Sequence, residues 1–204
     1  FQYRHFFFDD LPTSFGLFFE GRSGRPFSFV FQGDANGDNA NQSNDLFYVP
    51  RGPGDVVFQA ILPGQNSQFP NGLSAAEQEQ RFWAYIQNNS YLNSRRGQIV
   101  ERNARISPWV SQADLRISQK LPKLWQVQGE LFLDIINVGN LLKDSWGQID
   151  QGPFPLSVQV ARFAGVNPDG RMVYVFPGEP TGFTRQDDRG ESRWQAQIGV
   201  RFEF

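Results

Sequence analysis

The last eleven residues of the chain alternate without a break. Trp194, Ala196, Ile198, Val200, Phe202 and Phe204 fall on one face, and Gln195, Gln197, Gly199, Arg201 and Glu203 fall on the other. A period of two is the signature of a β-strand, whose successive side chains point to opposite sides. The length suits a tilted strand crossing a bilayer, for which about 9–11 residues suffice. An amphipathic strand of a soluble sandwich alternates in the same way, so periodicity alone leaves the solvent open.

Earlier segments repeat the pattern. Phe15, Leu17 and Phe19 alternate with Ser14, Gly16, Phe18 and Glu20, and Phe27, Phe29 and Phe31 alternate with Ser28, Val30 and Gln32. Ala113, Leu115 and Ile117 oppose Gln112, Asp114, Arg116 and Ser118. Val127, Gly129, Leu131, Leu133 and Ile135 oppose Gln128, Glu130, Phe132 and Asp134. The charged members are costly against lipid but not against a wet lumen. Residues 154–163 and 171–177 are further expected strands, separated by the turn sequence Asn167-Pro168-Asp169-Gly170.

Composition agrees. Mean hydropathy is only −0.47, and no run approaches the roughly 18 apolar residues of a membrane helix. Yet 21 residues are Phe, scattered among polar neighbours, as in barrels whose strands are half apolar and whose aromatics mark the interfaces. Trp109, Trp125, Trp146 and Trp194, near strand ends, are expected to be such interfacial residues. The expected fold class is all-β, a transmembrane antiparallel β-barrel with one short helix in a long extracellular loop.

Connections are unequal in length. Asp9-Asp10-Leu11-Pro12 and Leu121-Pro122-Lys123 are tight, whereas 33–109 is a long excursion. Short turns on one side and long extracellular loops on the other is the outer-membrane arrangement. Within the excursion, Ser74 and Glu77 form a capping box, which predicts a helix over about 74–88 with Phe82, Tyr85 and Ile86 near one face. That helix is expected to pack on the barrel rim or to line an entrance. The expected organisation is therefore strands in 1–32, the extracellular excursion in 33–109, and strands in 110–204 ending in the C-terminal membrane strand.

A net charge of −2 offers no basic face for nucleic acid, and the lack of cysteine excludes disulfides and thiolate chemistry. The chain begins Phe1-Gln2-Tyr3 without a signal segment, so an exported barrel is expected to be part of a longer precursor. The single histidine, His5, has no nucleophile motif beside it, and there is no P-loop, nucleotide fingerprint or HExxH. No enzymatic activity is expected. Two groups in the excursion have binding chemistry. Asp34, Asn36 and Asp38 alternate like the first positions of an EF-hand loop, with Asn41, Asn44 and Asp45 following and Asp45 where a bidentate Glu would stand. They are a calcium candidate, set against a polar turn loop of the same composition. Arg95, Arg96, Arg102 and Arg105 suit an anionic substrate or lipopolysaccharide phosphate, or else pair locally with Glu101.

Several stretches together resemble the C-terminal barrel region of TonB-dependent receptors. They are Gly21-Arg22-Ser23-Gly24-Arg25-Pro26-Phe27-Ser28, Gly33-Asp34-Ala35-Asn36-Gly37-Asp38, Asn44-Asp45-Leu46 with Tyr48-Val49-Pro50, Arg96-Gly97-Gln98, Glu101-Arg102-Asn103 and Pro108-Trp109. Asp114-Leu115-Arg116 and the segment Asp134 to Leu142 follow, the latter with Gly139 in place of the usual aromatic. The pattern is most similar to the Oar-like group, whose members carry a carboxypeptidase-regulatory-like domain at the N-terminus. The resemblance implies the C-terminal third of a barrel of about 22 strands around a plug. It implies active uptake, across the outer membrane of a Gram-negative bacterium, of a scarce or large substrate such as a peptide, siderophore or glycan. Implied partners are outer-membrane lipid and lipopolysaccharide, TonB through an N-terminal region outside these 204 residues, and the barrel-assembly machinery through the final strand. No cofactor is required beyond the candidate Ca²⁺. Two other readings stand beside it: a secreted or surface β-sandwich that binds a ligand, and a passive barrel or adhesion protein.

Overall fold

Runs rich in Phe, Val, Ile and Thr favour pleated, half-buried surfaces, and the computed structural model is accordingly mostly β. It describes residues 1–39, 42–153 and 155–204; Asn41 of the calcium candidate and Phe154, the start of one expected strand, lie outside the described residues. Among the described residues no helix is long and apolar enough to cross a membrane. The first half runs β1 (Gln2–Phe8), β2 (Leu11–Arg22), β3 (Pro26–Gln32), β4 (Gln42–Leu46), β5 (Tyr48–Val49), β6 (Val57–Phe58), α1 (Ala75–Asn88), α2 (Ser90–Ser94), β7 (Gln98–Ile99) and β8 (Arg105–Ile106). The second half runs β9 (Val110–Lys120), β10 (Gln128–Ile136), α3 (Val138–Leu142), β11 (Asp150–Gln151), β12 (Ser157–Val166), β13 (Met172–Val175), β14 (Thr184–Arg185) and β15 (Gln195–Glu203). The chain forms two compact units.

The first unit comprises Phe1–Gly24, Pro108–Gln151 and Arg185–Phe204. Its core element is a five-stranded antiparallel sheet in the order β1-β2-β9-β10-β15. The register is continuous from Thr13↔Gln119 to Arg22↔Val110 and from Gln128↔Glu203 to Ile136↔Gln195. Two tight connections, through Asp9 (φ 41°) and through the segment containing Trp125 (φ 58°), lie at one end of the sheet. Asp tolerates that left-handed conformation in a turn. The long connections, from Arg22 to Val110 and from Ile136 to Gln195, both leave the opposite end. The sheet does not close on itself; β1 and β15 are its edges.

Two asparagines organise the end of β10. Asn137, buried and left-handed (φ 53°), donates its backbone N–H to Asp114 Oδ1 (2.8 Å) and its side-chain amide to the Gly147 carbonyl (2.9 Å). Asn140 donates to the Asp144 and Trp146 carbonyls and accepts from the Trp194 N–H (3.2 Å), at the entry to β15. The Asp134 to Leu142 segment thus ends one strand and guides the next.

The second unit comprises Arg25–Ser107 and Gly152–Thr184, bounds that run across the expected segments 1–32, 33–109 and 110–204. β3 does not continue the first sheet. It pairs in parallel with β12 in a mixed sheet ordered β4-β3-β12-β13-β6. The reason lies in its burial: every residue from Phe27 to Phe31 is buried, Ser28 and Val30 included, so both faces need cover. The excursion is no bare loop. It supplies strands, two helices and part of an aromatic core that includes Phe47, Phe82 and Trp83, and residues 152–184 join that core rather than extending the first sheet.

α1 begins at the Ser74–Glu77 capping box, which is fully formed. It buries Gln78, Phe82 and Ile86 completely. Phe82 meets Phe47, Phe58, Tyr174 and Phe176 with ring centroids 5.3–6.2 Å apart, in tilted and edge-to-face geometry. Gln78 is the polar pin of this core. Its amide donates to the carbonyls of Gln59 (2.7 Å) and Leu73 (3.3 Å), and its oxygen accepts the Phe176 N–H (2.8 Å). At the other side, the Tyr174 hydroxyl donates to the Tyr48 carbonyl (2.9 Å), and burial pushes its pKa up. The Tyr48 hydroxyl in turn donates to Asp55 (2.8 Å), whose same oxygen accepts the Arg51 N–H (2.9 Å). That backbone donor first, and the Tyr48 hydroxyl second, hold the Asp55 carboxyl below its ordinary value.

Two outcomes follow from these contacts. Gln78→Ala orphans the buried Phe176 N–H and takes a donor from the Gln59 carbonyl, while the Leu73 carbonyl keeps the Ile61 N–H (2.9 Å); it is expected to cost about 1–3 kcal/mol, read by chemical denaturation of the second unit. Asp55 contributes stability that is fully present above its unfolded value near 3.8 and is lost as pH falls through its lower folded value. The unfolding midpoints of wild type and Asp55→Asn should therefore differ at neutral pH and converge as the solution is acidified past that range.

Candidate functional site: a sheet with one apolar and one charged face

The register of the first unit sorts its side chains by alternation. One face carries Tyr3, Phe15, Ile117, Leu133 and Ile198 in one row across the five strands. The next row toward the long connections carries Leu17, Leu115, Ile135 and Ala196, and the row on the other side carries His5, Thr13, Gln119, Leu131 and Val200. Several side chains of this face are exposed: Ile198 is 76% exposed, Phe19 67% and Phe202 59%. Thr13 donates to the Gln119 side chain within the face, so its polar row is internally paired. The imidazole of His5 lies edge-on to Phe7, with centroids 4.3 Å apart.

The opposite face is charged. Gly16, Arg116, Asp134 and Gln197 form one row, and Lys120, Glu130 and Arg201 form another. Arg116 bonds Asp134 at 3.1 Å and lies 4.5 Å over the ring of Phe132, which occupies the space left by the missing side chain of Gly199. A recess of about 250 Å³ on this face is lined by Arg4, Arg116, Lys120, Arg201 and Glu130, among others. Sequence reading missed this convergence of cations, because it depends on which strand pairs with which. Aromatic side chains stand exposed at both ends of the sheet: Trp109 and Trp194 beside the long connections, Trp125 in a tight one.

The residues singled out in the excursion divide differently. Asp34 accepts from the backbone N–H groups of Gly37 (2.6 Å), Asp38 (3.2 Å) and Asn39 (2.8 Å), which fixes the turn. Asn36 accepts from the Asp38 N–H (2.9 Å), and Asp38 accepts from the side-chain amides of Asn36 (3.2 Å) and Asn44 (2.7 Å). Asp45, buried, accepts from the Ala35 N–H (2.5 Å) and the Asn36 N–H (3.3 Å) through one oxygen. Asp34, Asn36, Asp38 and Asp45 are thus gathered into one folded loop. The arginines are not gathered. Arg95 pairs with Glu101 (2.8 Å) and lies over Tyr91, whereas Arg96 lies over Trp83 and donates to Asn93 (2.9 Å). Arg105 also lies over Tyr91, and Arg102 stands exposed. The second unit has, in addition, a cleft of about 460 Å³ whose polar lining includes Gln32, Gln68, Gln159, Arg162 and Glu179.

Compared with protein families, with curated proteins and with solved structures, the chain matches none.

Proposed function

We propose that the first unit is a segment of an outer-membrane β-barrel, and that the chain is part of a TonB-dependent, Oar-like receptor that takes up a scarce or large substrate in a Gram-negative bacterium. The observation that carries this reading is the five-stranded sheet with an exposed apolar face and a charged reverse. In water such a face is a liability; monomeric soluble proteins rarely expose contiguous apolar patches beyond a few hundred Å². Against lipid it is the stable arrangement, with the charged reverse turned to a wet lumen. Nine residues of β15 extend about 30 Å, or about 23 Å along the membrane normal at a barrel strand's usual tilt, close to the height of a barrel's apolar band. Both long connections leave one end and both tight turns the other, as in barrels whose long loops face outward.

In this proposal the open edges of β1 and β15 are where further strands of the ring pair, since an unpaired edge is not tolerated in hydrocarbon. The final strand is what the assembly machinery engages, and TonB acts through a plug outside this sequence. The second unit and its polar cleft are the place for substrate contacts, with lipopolysaccharide as a neighbour. The amide and charged lining suits a peptide better than a flat sugar, which aromatic faces would stack.

The protein is expected to fractionate with membranes, to require detergent and to run as a heat-modifiable band. Ile198→Arg is expected to destabilise the inserted form by about 2–4 kcal/mol, whereas Gln197→Arg, on the other face, costs little. A detergent-free soluble monomer indifferent to Ile198→Arg contradicts the proposal and favours the ligand-binding sandwich.

A further inference from the structure

The loop leading into β4 holds a buried carboxylate that its surroundings leave half used. Asp45 is only 6% exposed. One of its oxygens accepts from the Ala35 and Asn36 N–H groups, which seats the carboxylate beneath the turn begun by Asp34. Among the described residues its other oxygen, Oδ1, is buried without a hydrogen-bond partner, and the side-chain oxygen of neighbouring Asn44 is in the same state. Burying a carboxylate costs several kcal/mol unless a cation or donors compensate it. The partners of Asp34 and Asp45 are backbone amides, which carry no formal charge.

From this we infer that the loop is a calcium site, with Asp45 Oδ1 as its inner ligand and Asp34 and Asn36 supplying oxygens from the turn. The inference is independent of the membrane reading. Calcium takes six to eight hard oxygens and accepts amide and main-chain carbonyls beside carboxylates. This matters because no three acidic or imidazole side chains among the described residues converge as a ready-made site. A shell here rests on few carboxylates, and low ligand charge belongs to weak sites in the range of about 10⁻⁴–10⁻³ M typical of extracellular modules. The Asp34 turn is already set by three N–H donors, so the first-position carboxylate is held in place before any ion arrives. Magnesium, which demands near-ideal octahedral geometry and gives up water reluctantly, fits such a loop poorly.

The test is calorimetric titration of the full chain, stripped with chelator, using CaCl₂ alone and then MgCl₂ alone, with limited proteolysis of the loop as a second readout. Saturable calcium binding in the range of about 10⁻⁴–10⁻³ M, calcium-dependent protection of the loop and no comparable response to magnesium are expected. Asp45→Asn keeps the shape and removes the charge, and should weaken binding at least about tenfold. Should Asp45→Asn fail to fold, Asp34→Asn serves the same purpose from the exposed side of the turn. Absence of saturable binding by the wild type up to about 10 mM calcium, well above the weakest extracellular sites, overturns the inference. So does equal binding of magnesium, or unchanged affinity in a folded variant.

Discussion

The membrane reading of this protein depends on the register of five strands. Once Ser14 stands opposite Ser118, and Leu133 opposite both Ile117 and Ile198, every second residue is committed to one face across the whole sheet. A slip of one residue on β2, β9, β10 or β15 would turn residues such as Leu17, Leu115, Leu133 or Ile198 into the face that carries Arg116, Asp134 and Glu130. The pairing is thus coupled to the solvent on each side. In the proposed membrane setting, lipid on one face and water on the other both hold it.

The second unit stands on a different footing. Its core is built from interlocking aromatic rings around Phe82 and Tyr174, with edge-to-face contacts that set ring orientation as well as burial. Within it Gln78 meets its buried polar neighbours through three hydrogen bonds, so a polar side chain is accommodated at no unmet cost. A unit that buries its own aromatics needs no lipid, while the first unit leaves its own exposed. That contrast is why the first unit, and not the second, carries the membrane reading.

How much of this was legible in the sequence varies with the element. The final strand, β2, β9 and β10 could be read because one face is apolar and the other polar, so alternation survives in the letters. The helix could be read from Ser74 and Glu77, whose side chains form the box whatever surrounds them. β3 misled, because Phe27, Phe29 and Phe31 alternate with residues that are also buried, and a strand covered on both sides gives no signal of which sheet it joins. The parallel pairing with β12, far along the chain, leaves no local trace at all. In the candidate sites, local turn chemistry gathered Asp34, Asn36, Asp38 and Asp45, as their spacing suggested. The arginines of the excursion instead found aromatic rings and an acid nearby. The cations that do converge, Arg4, Arg116, Lys120 and Arg201, come from three strands, β1, β9 and β15, and meet only through register.

The central claim is that the face bearing Ile198 meets hydrocarbon. The chain contains no cysteine, so single cysteines can be introduced at successive positions of β15 and labelled with a polarity-sensitive probe in bilayers. The account predicts a period of two, with lipid-like environments at positions 196, 198, 200 and 202 and aqueous ones at 195, 197, 201 and 203. A strand whose positions all report water, or whose alternation is reversed, would contradict it.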